Sequence, residues 1–319
     1  MSAARVVVFA YSDVGHACLA LLLSRGVAVP AVYTHADAPG ERLWFPSVAE
    51  LARAHGIPVR LDADLSRPEE LETLRALAPD VILSCYYRSL LPEAALGAAR
   101  LGAYNVHGSL LPRYRGRAPV NWAVLHGERE TGATLHVMTA RADAGDIVDQ
   151  EAVPIGPDDT AAEVQARVTA AAVAVLDRQL AALLRGEAPR HPQDHASATT
   201  FGRRRPEDGC FEWSRPARAI HDLVRAVTHP YPGARATLLG RPARIWRTRM
   251  ADDARLDPPP AGGPGAGAAR LVDGRLLVAC GDGRWLEVVR AQLDGDVERD
   301  GEDLARRLTL PDTPTSTGP

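Results

Sequence analysis

The sequence predicts an α/β fold: a Rossmann-like, mostly parallel sheet with helices on both faces, followed by a smaller β-barrel-like C-terminal domain. Three observations carry this. The first half of the chain alternates short apolar runs with helix-period segments that end at glycine. Beyond Phe211 the pattern changes to short strands separated by Asp-Gly turns. The length, 319 residues, suits two domains at roughly 100–200 residues each. The expected division is 1–200 for the catalytic domain, 201–308 for the small domain and 309–319 for a disordered polar tail.

In order along the chain, Val6–Ala10 is a continuous apolar run, as a strand covered on both faces requires. Cys18–Leu23 reads as a helix ended by Gly26, and Val27–Tyr33 as a second strand. Val48–Ala54 is helical, Asp80–Ser84 is a third strand, and Ala103–His107 a fourth, stopped by Gly108. In such sheets ligands sit at the carboxyl ends of the strands. The turn after the first strand has one glycine, Gly15, read as a helix-entry turn, and not the three of a dinucleotide fingerprint. Thr134–Met138 and Ile147–Val153 read as strands, and Asp159-Thr160 caps an alanine-rich helix running to about Leu184. Pro189–Gln193 has the composition of a linker. In the second part, Ile220, Leu223, Val224 and Val227 share a helical face. Strands follow at Ala236–Leu239, Ala243–Trp246, Arg270–Val272, Leu276–Cys280 and Trp285–Val289, with a Pro- and Gly-rich loop over 256–269.

Composition narrows the chemistry. Apolar residues make up 46% and charged residues 24%, an ordinary globular balance. No apolar run reaches the roughly 18–20 residues of a membrane span, and the first apolar run is too short for an export signal. A cytoplasmic location and no membrane partner are expected. The net charge of −3 gives no general basic field, so a nucleic-acid partner is not expected. All 37 basic residues are arginine. That excludes a Schiff-base lysine and a Walker A phosphate loop. Cys18, Cys85, Cys210 and Cys280 are far apart and form no metal-ligand spacing, so reduced thiols and no metal are expected.

The informative stretch runs from Asn105 to Asp146. Asn105 and His107 alternate along a strand, so both side chains leave one face. An amide and an imidazole there form an oxyanion donor and a proton-transfer group. Asp143, in a Gly/Ala loop, is a carboxylate that can orient the imidazole. Ser109 lacks a nucleophile-elbow context, which favours direct transfer of an acyl group to an amine. Arg113, Arg115 and Arg117 are candidates to meet an anionic ligand. Of Tyr86 and Tyr87, one is expected in the core and one at a pocket. His16, His35, His126 and His136 have no assignable role in the sequence.

This stretch resembles the folate-dependent formyltransferases, whose signature is Asn-x-His, then Ser-Leu-Leu-Pro, then a later Asp; here Asn105-Val106-His107, Ser109–Pro112 and Asp143. Narrower pieces resemble the branch that acts on UDP-4-amino-4-deoxy-L-arabinose: Tyr86-Tyr87-Arg88, Arg115–Trp122 and Phe201–Arg204. Thr34-His35 with Pro39-Gly40-Glu41 belongs to the same likeness. The resemblance implies Asn105, His107 and Asp143 as catalytic residues. It implies 10-formyltetrahydrofolate as formyl donor, bound through Ser89, Leu90, Leu91, Arg117, Thr139, Ala140, Arg141 and Ala142. Ser89 stands where the relative has histidine, so a backbone contact is implied there. A UDP-amino-sugar is the implied substrate partner. In this branch the formyltransferase can be one domain of a bifunctional protein that continues into a decarboxylase domain; without a dinucleotide fingerprint that second activity is not expected. Three alternatives stay open: a methionyl-tRNA formyltransferase, a formyltransferase for another nucleotide-linked amino sugar, and a folate-binding regulatory module.

Overall fold

The computed structural model describes residues 4–37, 43–252, 256, 265–307 and 310. Pro39-Gly40-Glu41, most of the 256–269 loop and, Leu310 apart, the expected tail lie outside the described residues. The chain forms two compact units. The first takes residues up to Pro119, Glu130–Pro154 and Gln165–Gly202; the second takes Val120–Arg129, Ile155–Val164 and residues from Arg203 onward.

The first unit is built on β1 (Val6–Ala10), α1 (Ser12–Ser24), β2 (Val32–Thr34), α2 (Val48–Ala54), β3 (Val59–Leu61), α3 (Pro68–Ala76), β4 (Val81–Cys85), α4 (Glu93–Leu96) and β5 (Gly102–His107). After β6 (Arg115–Gly116) come β7 (Glu130–Val137), β8 (Ile147–Pro154), α6 (Ala161–Arg185, from Gln165 onward) and β9 (Thr200–Phe201), while α5 (Pro119–Leu125) lies, past its first residue, in the second unit. Seven strands form one sheet in the order β3-β2-β1-β4-β5-β7-β8. The first five are parallel, while β7 and β8 add antiparallel.

Every residue of β1 and β4 is buried, which is why these strands read as unbroken apolar runs. Phe9, Tyr33, Leu74 and Ile82 centre one core cluster. The expected second strand is shorter than predicted: before β2, residues 27–31 contribute a bridge from Ala28 to Arg5, and the Ala28 and Ala31 carbonyls accept the Val6 and Val8 N–H groups. The first helix starts at Ser12, not Cys18, and Gly15 lies within it. There a Cβ would sit 3.0 Å from the Ala10 Cβ and 3.1 Å from the Cys85 carbonyl oxygen, so this glycine lets α1 close onto the sheet. All four cysteines are free; Cys210 is exposed and the other three are buried.

The second unit carries α7 (Ala217–Val227), β10 (Ala234–Leu238), β11 (Arg241–Met250), β12 (Ala269–Val272), β13 (Arg275–Ala279), β14 (Trp285–Leu293), β15 (Arg299–Asp300) and α8 (Gly301–Arg307). The strands form an antiparallel sheet in the order β10-β11-β14-β13-β12, with β15 on β14. The α7 face that carries Ile220, Leu223, Val224 and Val227 is buried, and the helix packs on β11.

The core of the first unit gives a direct test. Leu83, 1% exposed, sits in the middle of β4. Truncating such a side chain removes about 2–5 kcal/mol through lost burial and the cavity left behind. Leu83→Ala is expected to lower the urea unfolding midpoint of the first unit; an unchanged midpoint would contradict this packing.

Candidate active site

β5 ends at His107, and the loop after it folds back over the strand. The Ser109 hydroxyl donates to the Arg113 carbonyl at 2.7 Å. The Thr134 hydroxyl donates to the Ser109 carbonyl at 2.6 Å and accepts the Leu111 N–H at 3.1 Å. Gln150 Nε2 donates to the Leu111 carbonyl at 2.9 Å. The Ser109 hydroxyl therefore holds the loop, in keeping with the expectation that it is no nucleophile. Gly108 is a close approach: a Cβ there would lie 1.8 Å from the Tyr86 hydroxyl oxygen.

His107 is 6% exposed. Its Nε2 lies 2.8 Å from the Tyr114 carbonyl oxygen. A carbonyl only accepts, so Nε2 carries the proton and Nδ1 is the basic nitrogen. Nδ1 faces Asp143 Oδ1 at 3.6 Å. Asp143 is fixed from a second side, because Oδ2 accepts the Gly116 N–H at 2.8 Å. The three residues expected to be catalytic are thus brought together.

A fourth residue joins them. His136 had no role in the sequence, yet it stands directly across from Asn105 in the β5–β7 register. Opposed residues of an antiparallel pair share a face. Its Nε2 is 3.0 Å from Asn105 Nδ2 and 3.5 Å from Asp143 Oδ1. Its Nδ1 lies 2.9 Å from the Val137 carbonyl oxygen. Nδ1 therefore holds the proton, and Nε2 accepts from the Asn105 amide. Alternation at Thr134, His136 and Met138 was the signal available in the sequence; it lacked the knowledge that β7 pairs with β5.

Burial pushes the Asp143 carboxyl up, but in the acid range where it titrates the His107 and His136 rings, when protonated, and the Gly116 N–H outweigh it and hold the group well below the usual carboxylate range. Asp143 is a buried anion with two imidazoles as neighbours.

The residues expected to bind the formyl donor divide. Ser89, Leu90, Leu91 and Ala140 line a cavity of about 480 Å³ together with His35, Asp62, Asp64, Tyr87 and Glu93. Thr139, Arg141 and Ala142 are exposed on the β7–β8 loop outside that lining, where the Thr139 hydroxyl donates to the Arg141 carbonyl at 2.9 Å. Arg117 reaches the Arg88 carbonyl through Nη2. His35, also unassigned in the sequence, is a built part of the cavity. Its Nδ1 is 3.0 Å from Asp62, its Nε2 accepts the Arg88 N–H at 3.1 Å, and its ring stacks on Tyr87 at 4.3 Å. Burial lowers the His35 pKa against the opposing Asp62, which agrees with a neutral ring. Tyr87 lines the cavity and also packs on the core cluster, while Tyr86 is part-buried beside Gly108, so the expected split of the pair between core and pocket is not seen. Arg115 corrects an expectation: it is 2% exposed, and its guanidinium is held by Gln193 and not offered to a ligand. Among the described residues no group of three or more His, Cys, Asp or Glu is placed to hold a metal ion, and no helix is long and apolar enough to cross a membrane.

Two family models match the chain. Residues 5–180 match the formyl transferase model, which covers more than half of the chain. The chain belongs to the formyl transferase family. Residues 204–309 match the formyl transferase C-terminal domain, and the protein is an enzyme of formyl transfer. Solved structures share the fold. WlaRD, a sugar 3N-formyl transferase solved with dTDP and 5-N-formyl-THF, superposes with a TM-score of 0.69 at 15% identity, over 93% of this chain and 100% of that one. The N-formyltransferase of Helicobacter canadensis, solved with folinic acid and dTDP-3-aminofucose, gives 0.69 at 17% identity, over 90% and 99%. HypX from Aquifex aeolicus, solved with tetrahydrofolic acid, gives 0.64 at 17% identity. This chain is covered completely in that match but spans about 50% of the length of HypX.

The Asp143 pKa has a consequence for stability. A carboxyl held below its unfolded value of 3.8 stabilises the fold fully above that value, and the contribution is lost as pH falls toward the folded pKa. The test follows the gap in thermal midpoint between wild type and Asp143→Asn from pH 5 downward. Near pH 3 the wild type is expected to decline relative to the variant, and midpoints that run parallel down to pH 3 would contradict the assignment.

Proposed function

We propose that the protein transfers the formyl group of 10-formyltetrahydrofolate to the 4-amino group of UDP-4-amino-4-deoxy-L-arabinose, the sugar used in lipid A modification and polymyxin resistance. The observation that carries the reaction type is the convergence of Asn105, His107 and Asp143 at a site where the Ser109 hydroxyl is taken up by the Arg113 carbonyl. The Tyr86–Arg88, Arg115–Trp122 and Phe201–Arg204 segments support the choice of sugar. Solved relatives with folates and dTDP-linked ligands support the reactant classes.

The cavity fits the donor in size and chemistry. Pockets for small ligands are commonly about 300–1,000 Å³. Leu90 and Leu91 supply apolar lining, Tyr87 and His35 an aromatic surface, and Asp62, Asp64 and Glu93 acceptors for a nitrogen-rich ring. The donor brings an activated formyl group; the remaining work is done by this chain. Asn105 uses one amide N–H on His136, and the second can meet the formyl oxygen as it gains negative charge. His107 Nδ1 takes the proton from the attacking amine while Nε2 stays anchored on Tyr114. The imidazolium so formed faces Asp143, already ionised. The same nitrogen returns the proton to the departing amine, so the new amide bond forms as the old one breaks.

Loss of an oxyanion donor commonly costs on the order of 10²–10³ in kcat, and Asn105→Ala is expected to show that loss with the fold intact. The assay offers the UDP-amino-sugar and methionyl-tRNA in parallel with the same formyl donor. Formylated sugar nucleotide is the expected product. Formylated methionyl-tRNA with no sugar product would overturn the substrate, and near-normal turnover by Asn105→Ala would overturn the site.

A further inference from the structure

Pro189–Gln193 has the composition of a linker, but the structure binds this segment to the first unit. His191 and Ile147 exchange two backbone hydrogen bonds, at 2.8 and 2.9 Å. A few residues on, β9 runs parallel to β6, pairing Thr200 with Arg115 and Phe201 with Gly116. Between these two attachments lies Gln193, 6% exposed.

Its side chain is fully engaged. Nε2 donates to the Asp143 carbonyl at 2.9 Å and to the Gly145 carbonyl at 2.7 Å. Oε1 accepts from Arg115 Nε at 3.2 Å and from Arg115 Nη2 at 2.5 Å. Arginine only donates and a peptide carbonyl only accepts, so the partners permit one orientation of this amide. Arg115 is itself pinned: its N–H bonds the Thr199 carbonyl at 2.9 Å, and Nη2 also reaches His195 Nδ1 at 3.0 Å. Its Nη1 is buried with no hydrogen-bond partner. A buried cation with an unmatched donor costs stability, so packing alone does not explain why it is there.

The loop it holds needs holding. Asp143 has a φ of 52°, in the left-handed region that non-glycine residues seldom occupy and that costs of order 1–3 kcal/mol. Two residues on, a Cβ at Gly145 would lie 2.0 Å from the Val137 carbonyl oxygen. The grip is double, because Gly116, next to Arg115 in β6, gives its N–H to the Asp143 carboxylate. One short strand thereby fixes the carboxylate directly and the backbone through Gln193.

We infer that Gln193, clamped by Arg115, is a positioning residue that sets where the Asp143 carboxylate lies against His107 and His136. This rests on the reading that Asp143 serves His107 in formyl transfer. Gln193→Glu separates positioning from packing, because it keeps the size and the Arg115 contact but removes the two N–H donors.

The test measures kcat and KM for Gln193→Glu in the wild-type and Asp143→Asn backgrounds. It also records the imidazole ¹⁵N shifts of His107 and His136 in all four proteins. A small misplacement of a reacting group commonly costs about 10²-fold, so kcat is expected to fall about 10- to 100-fold with KM for the donor nearly unchanged. In the Asp143→Asn background the same change is expected to cost less than about twofold, because residues acting as one unit are not additive. The ring shifts are expected to move in Gln193→Glu and not to move further when Asp143→Asn is already present. Equal losses in both backgrounds, or unmoved rings, would overturn the inference. If the wild type transfers no formyl group, the functional reading fails and the ring shifts still decide the positioning role. Should Gln193→Glu not fold, Gln193→Asn, with the same groups drawn back by one carbon, is read in the same way.

Discussion

A carboxylate buried at the end of a sheet is the constraint on which this site depends. An isolated buried anion is costly, and it persists only where hydrogen bonds and opposite charge compensate it. For Asp143 the Gly116 N–H compensates it directly, and the His107 and His136 rings do so whenever they carry a second proton. Each partner belongs to a different segment, so the anion draws β5, β7 and the residues after Tyr114 to one point. The same contacts leave His107 with its proton on Nε2 and its basic nitrogen turned toward the charge.

The sheet makes this possible through a change of direction. Five strands run parallel, and β7 then pairs antiparallel with β5. The antiparallel strand sets His136 opposite Asn105 and Thr134 opposite His107. Thr134 then holds the loop that carries Ser109 and Leu111. Two positions on one strand thus serve the chemistry and the loop that shapes it.

Much of this was legible in the sequence where the signal is local. Continuous apolar runs mark β1 and β4 because both faces of those strands are covered. The pattern of α2 agrees with the structure at both ends, Val48 and Ala54. Asn105 and His107 could be placed on one face by strand alternation alone. What stayed hidden depends on non-local pairing or on polar elements. Helix α3 buries fully only Leu74, so it has no strong apolar stripe to read. Strands β6 and β9 have two residues each and exist only because they pair. His136 and Gln193 were missed for the same reason: the first needs the β5–β7 register, and the second sits in a segment whose composition resembles a linker. Arg115 was expected at a ligand because arginine runs near a site attract anions, but its neighbours Gln193 and His195 claim it first.

Two histidines that share one carboxylate hold their protons on opposite ring nitrogens. Long-range ¹H–¹⁵N spectroscopy of the imidazole rings, at a pH where both are neutral, reads those positions directly. The structure predicts His107 protonated on Nε2 with a bare Nδ1, and His136 protonated on Nδ1 with a bare Nε2. A His107 ring that carries its proton on Nδ1 would contradict the proposed role of that nitrogen as the proton acceptor, and with it the central claim.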